Sequence, residues 1–265
     1  MSDAPAELVG YERRDRVALI TLNRPEARNA VNGAVARGIE AAVDAMEADD
    51  EVWIGILAAE TSGQQRPVFC AGADLKEIDA GRGAELSTER GGWGGFVYRD
   101  RRKPVIAAVD GLATAGGCEL VLAADLVVAT TRSAFGLAEV TRGLVAAAGG
   151  MFRLPRAIGR APAMEAILTG EPIPAERAHA LGLVSRLVGP GEALEEAFRL
   201  AARITANAPL AVWASREVVL AADTADDDTL RTMTDQAIRT VMRSEDLAEG
   251  LTAFIEKRPP RWRAR

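Results

Sequence analysis

The chain reads as an α/β protein with a helical C-terminal region. Three observations predict this. Short apolar runs rich in β-formers recur through the first half of the 265 residues. Segments with apolar residues at helical spacing alternate with them, the pattern of βαβ units. Beyond Val188 only the helical spacing continues.

The elements follow in order. Val17 to Leu22 (VALITL) predicts a buried strand, and the polar NRPEARN after it, with Pro25, predicts a turn. Val31, Val35, Ile39, Val43 and Met46 share one helical face, so a helix is expected from about Asn32 to Asp49. Val52–Ala58 and Val105–Val109 predict further strands. A helix should open near Gly116 and run through GGCELVLAA, with a strand at Leu126–Ala129 behind it. Ala80 to Gly95 (AGRGAELSTERGGWGG), rich in glycine and charge, reads as a mobile loop, either over a site or an idle insertion. Leu194, Ala197, Phe198, Ala201 and Ile204 lie on one helical face, and helical spacing continues to about Lys257. The expected division is an α/β core over residues 1–200 and a helical region over 201–265, whose exposed apolar stripes suit oligomer contacts.

Composition narrows the function. Net charge is −6, which argues against a broad nucleic-acid footprint. The two cysteines, Cys70 and Cys118, form no disulfide framework or metal-ligand spacing and read as reduced thiols. No run reaches the ~20 apolar residues of a membrane helix, and MSDAPAELVGYERRD lacks a signal-peptide stretch, so a cytoplasmic protein is expected. The G-x-G-x-x-G, P-loop and G-x-S-x-G patterns are missing. His179 is the only histidine, so histidine-dependent chemistry and histidine-metal sites are not expected.

Two Gly/Ala-rich segments and two glutamates remain. Phe69–Ile78 (FCAGADLKEI) and Asp110–Leu120 (DGLATAGGCEL) carry few bulky side chains, which lets a ligand approach the backbone. Each segment could offer one free N–H, and a converging pair makes an oxyanion hole; each could equally be a tight packing contact. Glu119 falls in the first turn of the helix opening at Gly116. Glu139, in AFGLAEVTRGL, lies 20 residues on with one strand between. Paired carboxylates in different surroundings can divide acid and base work.

From near the first strand to the C-terminus the chain resembles the crotonase superfamily of enoyl-CoA hydratases and isomerases. The resemblance rests on TLNRPEARNAVN, FCAGADLKEI, DGLATAGGCELVLAAD, AFGLAEVTRGL, LVSRLV and AFIEKRPPRW in that order. It implies a spiral of ββα units with a helical C-terminal trimerisation region, assembled as a homotrimer or dimer of trimers. It also implies an acyl-CoA thioester substrate and no cofactor beyond the CoA of that substrate.

By the same resemblance, the N–H groups of Ala73 and Gly116 form the oxyanion hole. Glu119 is mainly the base and Glu139 the proton donor of a 2-enoyl-CoA hydration. Ala27, Arg28, Ala71, Asp74, Leu75, Lys76, Ala115 and Ala147 fall where the family contacts CoA or substrate, and Phe254 and Lys257 where a neighbouring subunit completes the site. Three departures stand out. Gly143–Gly150 reads GLVAAAGG where many hydratases have G-x-x-P-G-A-G-G, so Ala147 replaces a glycine. Ala138 stands where proline is frequent, and Glu26 where a basic residue is common. An isomerase, a specialised dehydratase and a non-catalytic acyl-CoA binder remain the competing readings.

Overall fold

The computed structural model describes residues 7–265. The chain begins with β1 (Val9–Arg14), β2 (Val17–Leu22) and α1 (Gly33–Ala48). It continues through β3 (Ile54–Ala59), β4 (Val68–Cys70), α2 (Leu75–Asp79), β5 (Ser87–Thr88) and β6 (Gly92–Trp93). Then come β7 (Val105–Val109), β8 (Leu112–Thr114), α3 (Gly116–Leu122), β9 (Leu126–Thr130) and β10 (Ala134–Gly136). The rest comprises α4 (Gly150–Ile158), α5 (Arg160–Thr169), β11 (Ile173–Pro174), α6 (Ala175–Ala180), β12 (Arg186–Val188), α7 (Ala193–Thr205), α8 (Pro209–Ala221), α9 (Asp227–Val241) and α10 (Glu245–Glu256).

Two sheets organise these elements. The larger has the order β1-β2-β3-β7-β9-β12, parallel except for the β1–β2 hairpin. The smaller has the order β11-β10-β8-β4, with β10, β8 and β4 parallel. The pairs β3/β4, β7/β8 and β9/β10 each place their first strand in the large sheet and their second in the small one, and a helix follows. This is the expected spiral of ββα units.

The strands buried on both faces read as unbroken apolar runs, as parallel sheets require. One face of the large sheet packs against α1 and the small sheet, in a core that includes Ile20, Val35, Ile39, Val43, Met46, Phe69 and Phe135. All four predicted apolar positions within α1 are buried there, each contributing about 1.5–3 kcal/mol. Asn32 starts the helix, its Oδ1 accepting from Val35 N–H at 2.9 Å. Lys103, fully buried, closes its end, with Nζ donating to Met46 O and Asp49 O at 2.7 Å each. The other face of the large sheet carries Ile54, Ile56, Ile106 and Val128 against Ala193, Ala197 and Ala201 of α7. Residue 200 lies inside α7. Helices α8 to α10 follow, with Val219, Ile238, Met242, Leu251, Phe254 and Ile255 exposed. No helix among the described residues is long and apolar enough to cross a membrane.

The 80–95 segment corrects the sequence expectation. It is folded, with a 3-10 turn over Gly83–Leu86 and the β5–β6 hairpin. Leu86, Phe96 and Val97 are buried and anchor it. Its glycines let it run close to α1: a Cβ on Gly95 would lie 2.0 Å from Ala36 O. The charge and glycine that suggested a loop reflect this close approach.

Candidate active site

Strands β4, β8 and β10 are neighbours in the small sheet and point the same way, so the segments leaving their C-terminal ends converge. After β4, Gly72 takes φ +87°, a conformation that favours glycine. A Cβ there would lie 3.0 Å from both Gly116 N and Ala115 Cβ, so the two Gly/Ala segments touch. Val31 N–H donates to Gly72 O and Asp74 N–H to Val31 O, both at 2.8 Å. This parallel bridge turns Ala73 N–H to the opposite side, where it has no acceptor among the described residues.

After β8, Ala115 adopts φ 52°, ψ −130° and donates to Gly136 O at 2.8 Å. Such a backbone costs an L-residue about 1–3 kcal/mol, and here it swings the chain into α3. Gly116 N–H opens that helix and has no acceptor among the described residues. The next residue, Gly117, packs on Cys70, where a Cβ would meet the carbonyl oxygen at 2.1 Å. Two free N–H groups therefore stand on segments in contact, the second at a positive helix end.

Glu119 sits one turn into α3 and is 3% exposed. Its Oε1 accepts from Gly150 N–H, the first residue of α4, at 2.9 Å. Burial pushes its carboxyl from 4.5 up to about 7; the nearby Glu139 adds to the rise, and the Gly150 N–H opposes it. Glu139 leaves β10 in a short 3-10 turn, Glu139–Arg142. Burial raises its carboxyl too, and its Oε2 is buried without a hydrogen-bond partner. The structure thus brings the two predicted glutamates close enough for the charge of Glu139 to raise the Glu119 carboxyl. Cys70 and Cys118 are also buried, which pushes the Cys70 thiol up to about 12 and raises Cys118 likewise, so neither is a nucleophile at neutral pH.

The other predicted positions are spread over several elements. Ala27 and Arg28 form a turn beside Ala71, whose N–H donates to Arg28 O at 3.1 Å. Buried Asn29 locks that turn, with Nδ2 donating to Glu60 O and Val68 O. Leu75 and Lys76 are exposed at the start of α2. Asp74 is engaged elsewhere: it caps α2 by accepting from Lys76 N–H and pairs with Arg24 Nη1 at 2.7 Å, which holds its carboxyl below the usual range. Ala147 is exposed, and its carbonyl accepts from the Tyr98 hydroxyl at 3.1 Å. Phe254 and Lys257 stand exposed at the end of α10, which packs on neither α3 nor the turn at Glu139 within this chain.

Sequence reasoning missed Arg153 and Trp93. Arg153 donates to Ala148 O at 3.1 Å and Val97 O at 2.5 Å, bracing the loop that carries Gly150 to Glu119. The Trp93 ring lies on Gly116. The signal for Trp93 was a lone aromatic inside GGWGG. Among the described residues no group of three or more His, Cys, Asp or Glu could hold a metal.

The enoyl-CoA hydratase/isomerase family model matches residues 12–265. The chain belongs to that family. A probable enoyl-CoA hydratase of Rhizobium meliloti is 38% identical over 98% of this chain and 99% of its own length. A solved enoyl-CoA hydratase from Mycobacterium tuberculosis superposes with TM-score 0.91 at 47% identity, covering 98% of this chain and 100% of that one. A solved carnitinyl-CoA hydratase from Mycobacterium avium gives 0.74 at 43% identity, covering 98% and 99%.

Proposed function

We propose that the protein hydrates a 2-enoyl-CoA reversibly to a 3-hydroxyacyl-CoA. The observation that carries this reading is the pairing of two raised carboxyls, buried Glu119 and half-buried Glu139, on the elements that carry two unpartnered N–H groups, Ala73 and Gly116. Addition of water at Cβ develops enolate charge on the thioester oxygen. Two fixed N–H donors stabilise that charge, and losing one such donor typically costs about 3–4 kcal/mol. Glu119 takes the proton from the attacking water and Glu139 delivers one to Cα, so the pair begins and ends with a single proton.

In the reverse direction the roles exchange: Glu119 protonates the leaving hydroxyl and Glu139 takes the proton from Cα, and burial, which raises Glu119 to about 7, helps it hold that proton near neutral pH. Both carboxyls are raised by burial, so either can hold the shared proton in turn, which suits a reversible reaction. Arg28 and Lys76 at the exposed rim suit the CoA phosphates. The exposed apolar residues of α8 to α10 suit a trimer, in which Phe254 and Lys257 of one protomer reach the site of the next.

Loss of the conjugated-thioester absorbance of crotonyl-CoA tests the reading, beside Glu119→Gln and Glu139→Gln. Each variant should lose ~10²-fold or more in kcat. Turnover surviving both changes would sink the site assignment.

A further inference from the structure

Arg153 stands where the electrostatics of the fold oppose it. It lies in the first turn of α4 and reaches back to the helix N-terminus, the positive end of the dipole, where a cation is unfavourable. It is half-buried, and burial works against its charge. Among the described residues it has no ion pair. Its hydrogen bonds go instead to two backbone carbonyls, from Nη1 to Ala148 O at 3.1 Å and from Nη2 to Val97 O at 2.5 Å. A half-buried cation without an ion pair, at the wrong end of a helix, breaks a local rule, and such breaks gather at functional sites.

The guanidinium organises the turn that leads into α4. Gly149 has φ +104°, and a Cβ there would lie 2.1 Å from Arg153 Nη1, so the guanidinium fills the space of the missing side chain. Arg153 holds the Ala148 carbonyl of this turn. Gly150 N–H donates to Glu119 Oε1 at 2.9 Å, and the Ala148 N–H also favours the ionised carboxyl. Val97, whose carbonyl is the second acceptor, is itself buried, so the fork ties the turn to a fixed neighbour. Glu139 on the turn after β10, Cys118 on α3 and Arg153 on α4 are the charged and titratable groups that interact with Glu119. Strand β4 also packs on α3 and brings the buried Cys70, while β8 brings no ionisable side chain. Tyr98 and Arg156 act on Arg153, and Arg142 acts on Glu139. Arg153 is the cation that acts on Glu119.

We propose that Arg153 is the positioning residue of Glu119: its fork holds the Ala148–Gly150 turn so that the N–H groups of that turn meet the carboxyl, and it supplies the positive charge that acts there. This rests on the hydration reading of the site and adds a residue that acts through Glu119. The fork and the charge separate chemically. Lysine keeps the charge, but its point-like ammonium has no planar fork to match two carbonyls. Glutamine can donate to one carbonyl and carries no charge. Without the charge the ionised Glu119 is less favoured, so its carboxyl rises further and the pair holds its last proton to higher pH.

The test compares the wild type, Arg153→Lys and Arg153→Gln. With crotonyl-CoA, the alkaline fall of kcat/KM should move up by at least about 0.5 pH unit in Arg153→Gln and stay within about 0.2 unit of the wild type in Arg153→Lys. Both variants should lose ~10-fold or more in kcat, because Glu119 is less well held. A second readout needs no turnover: thermal melts of the wild type and Arg153→Gln, each beside its Glu119→Gln counterpart, at about pH 5 and about pH 9. A carboxyl raised further by folding loses more stability as pH rises, so the stability that Glu119 costs between the two pH values should be larger in the Arg153→Gln background. Far-ultraviolet circular dichroism identifies folded variants. An alkaline fall or a melt difference that does not move in folded Arg153→Gln overturns the inference, since an arginine that only packs would lower kcat and leave the proton affinity of Glu119 alone. Arg153→Lys with unaltered kcat overturns it as well, and carries the test if the glutamine variant does not fold. Shifted melts without turnover by the wild type would keep this inference and sink the hydration reading.

Discussion

Replacing Glu119 by Gln should change the pH dependence of stability as well as remove turnover. An ordinary glutamate titrates at 4.5 and the folded Glu119 at about 7. Below pH 4.5 the carboxyl is neutral in both states and costs nothing. From there to about 7 the unfolded chain ionises while the fold resists, so stability falls as pH rises. Past the folded value the loss is complete, about 3 kcal/mol at ~1.4 kcal/mol per tenfold in affinity. Gln has the same shape and no charge, and its carbonyl can keep the bond from Gly150 N–H. Its amide gives up one acceptor, at about 1 kcal/mol. The variant should therefore match the wild type near pH 5 and exceed it by about 2 kcal/mol at pH 8, or roughly 4–8 °C in Tm. Thermal melts of both proteins at the two pH values, at one protein concentration because assembly affects Tm, measure this. A difference between variant and wild type that stays constant from pH 5 to 8 would refute burial as the cause of the raised carboxyl. In the wild type, kcat/KM for hydration should fall as pH rises past about 7, where the pair loses the single proton that Glu139 must deliver to Cα.

Two further outcomes concern the loop that presents Ala73. Gly72→Ala places a Cβ 3.0 Å from Gly116 N on a backbone with φ +87°; it should cost about 1–3 kcal/mol of stability and lower kcat by ~10-fold or more, and unaltered turnover would show that the two N–H groups do not act together. Arg24→Met strips the partner from the mostly buried Asp74 carboxylate and should destabilise by about 3 kcal/mol. The wild-type pair contributes above the ordinary aspartate value of 3.8 and is lost as pH falls through the lowered folded value, so the gap between variant and wild type should narrow in acid when denaturation is followed with urea.

The strands of the large sheet were legible because burial on both faces leaves continuous apolar runs: VALITL and VIAAV are strands over the predicted residues. Helix α1 was legible from its spacing. The short strands β4, β8 and β10 left no periodic signal, since three residues are too few to show one. At the site, Glu119 and Glu139 stood out because a carboxylate beside Gly/Ala segments is unusual company. The Arg24–Asp74 pair did not, because its partners are 50 residues apart. Nor did Arg153, whose role depends on the carbonyls of Ala148 and Val97, and backbone acceptors carry no sequence signature.

The position of the site follows from the repeat of the fold. Three consecutive ββα units lay their second strands side by side, so equivalent strand ends meet at one edge of the small sheet. The unit ending in β4 contributes Ala73 N–H, the unit ending in β8 contributes Gly116 N–H and Glu119, and the unit ending in β10 contributes Glu139. Convergence of the two N–H groups is thus a property of topology, and the residues around them need only be small enough to permit it. The two carboxyls, Glu119 and Glu139, stand about one turn beyond the β8 and β10 junctions. Here the fold accepts a strained Ala115 and a buried carboxyl atom on Glu139 without a donor. Both costs fall on the β8 and β10 units, and the contact at Gly72 ties the β4 unit to them. A change that relaxes one junction should therefore disturb the other two, and double-mutant coupling between Gly72→Ala and Glu139→Gln should exceed about 0.5 kcal/mol in kcat/KM. Additive effects would mean that the three units act independently, which their shared edge argues against.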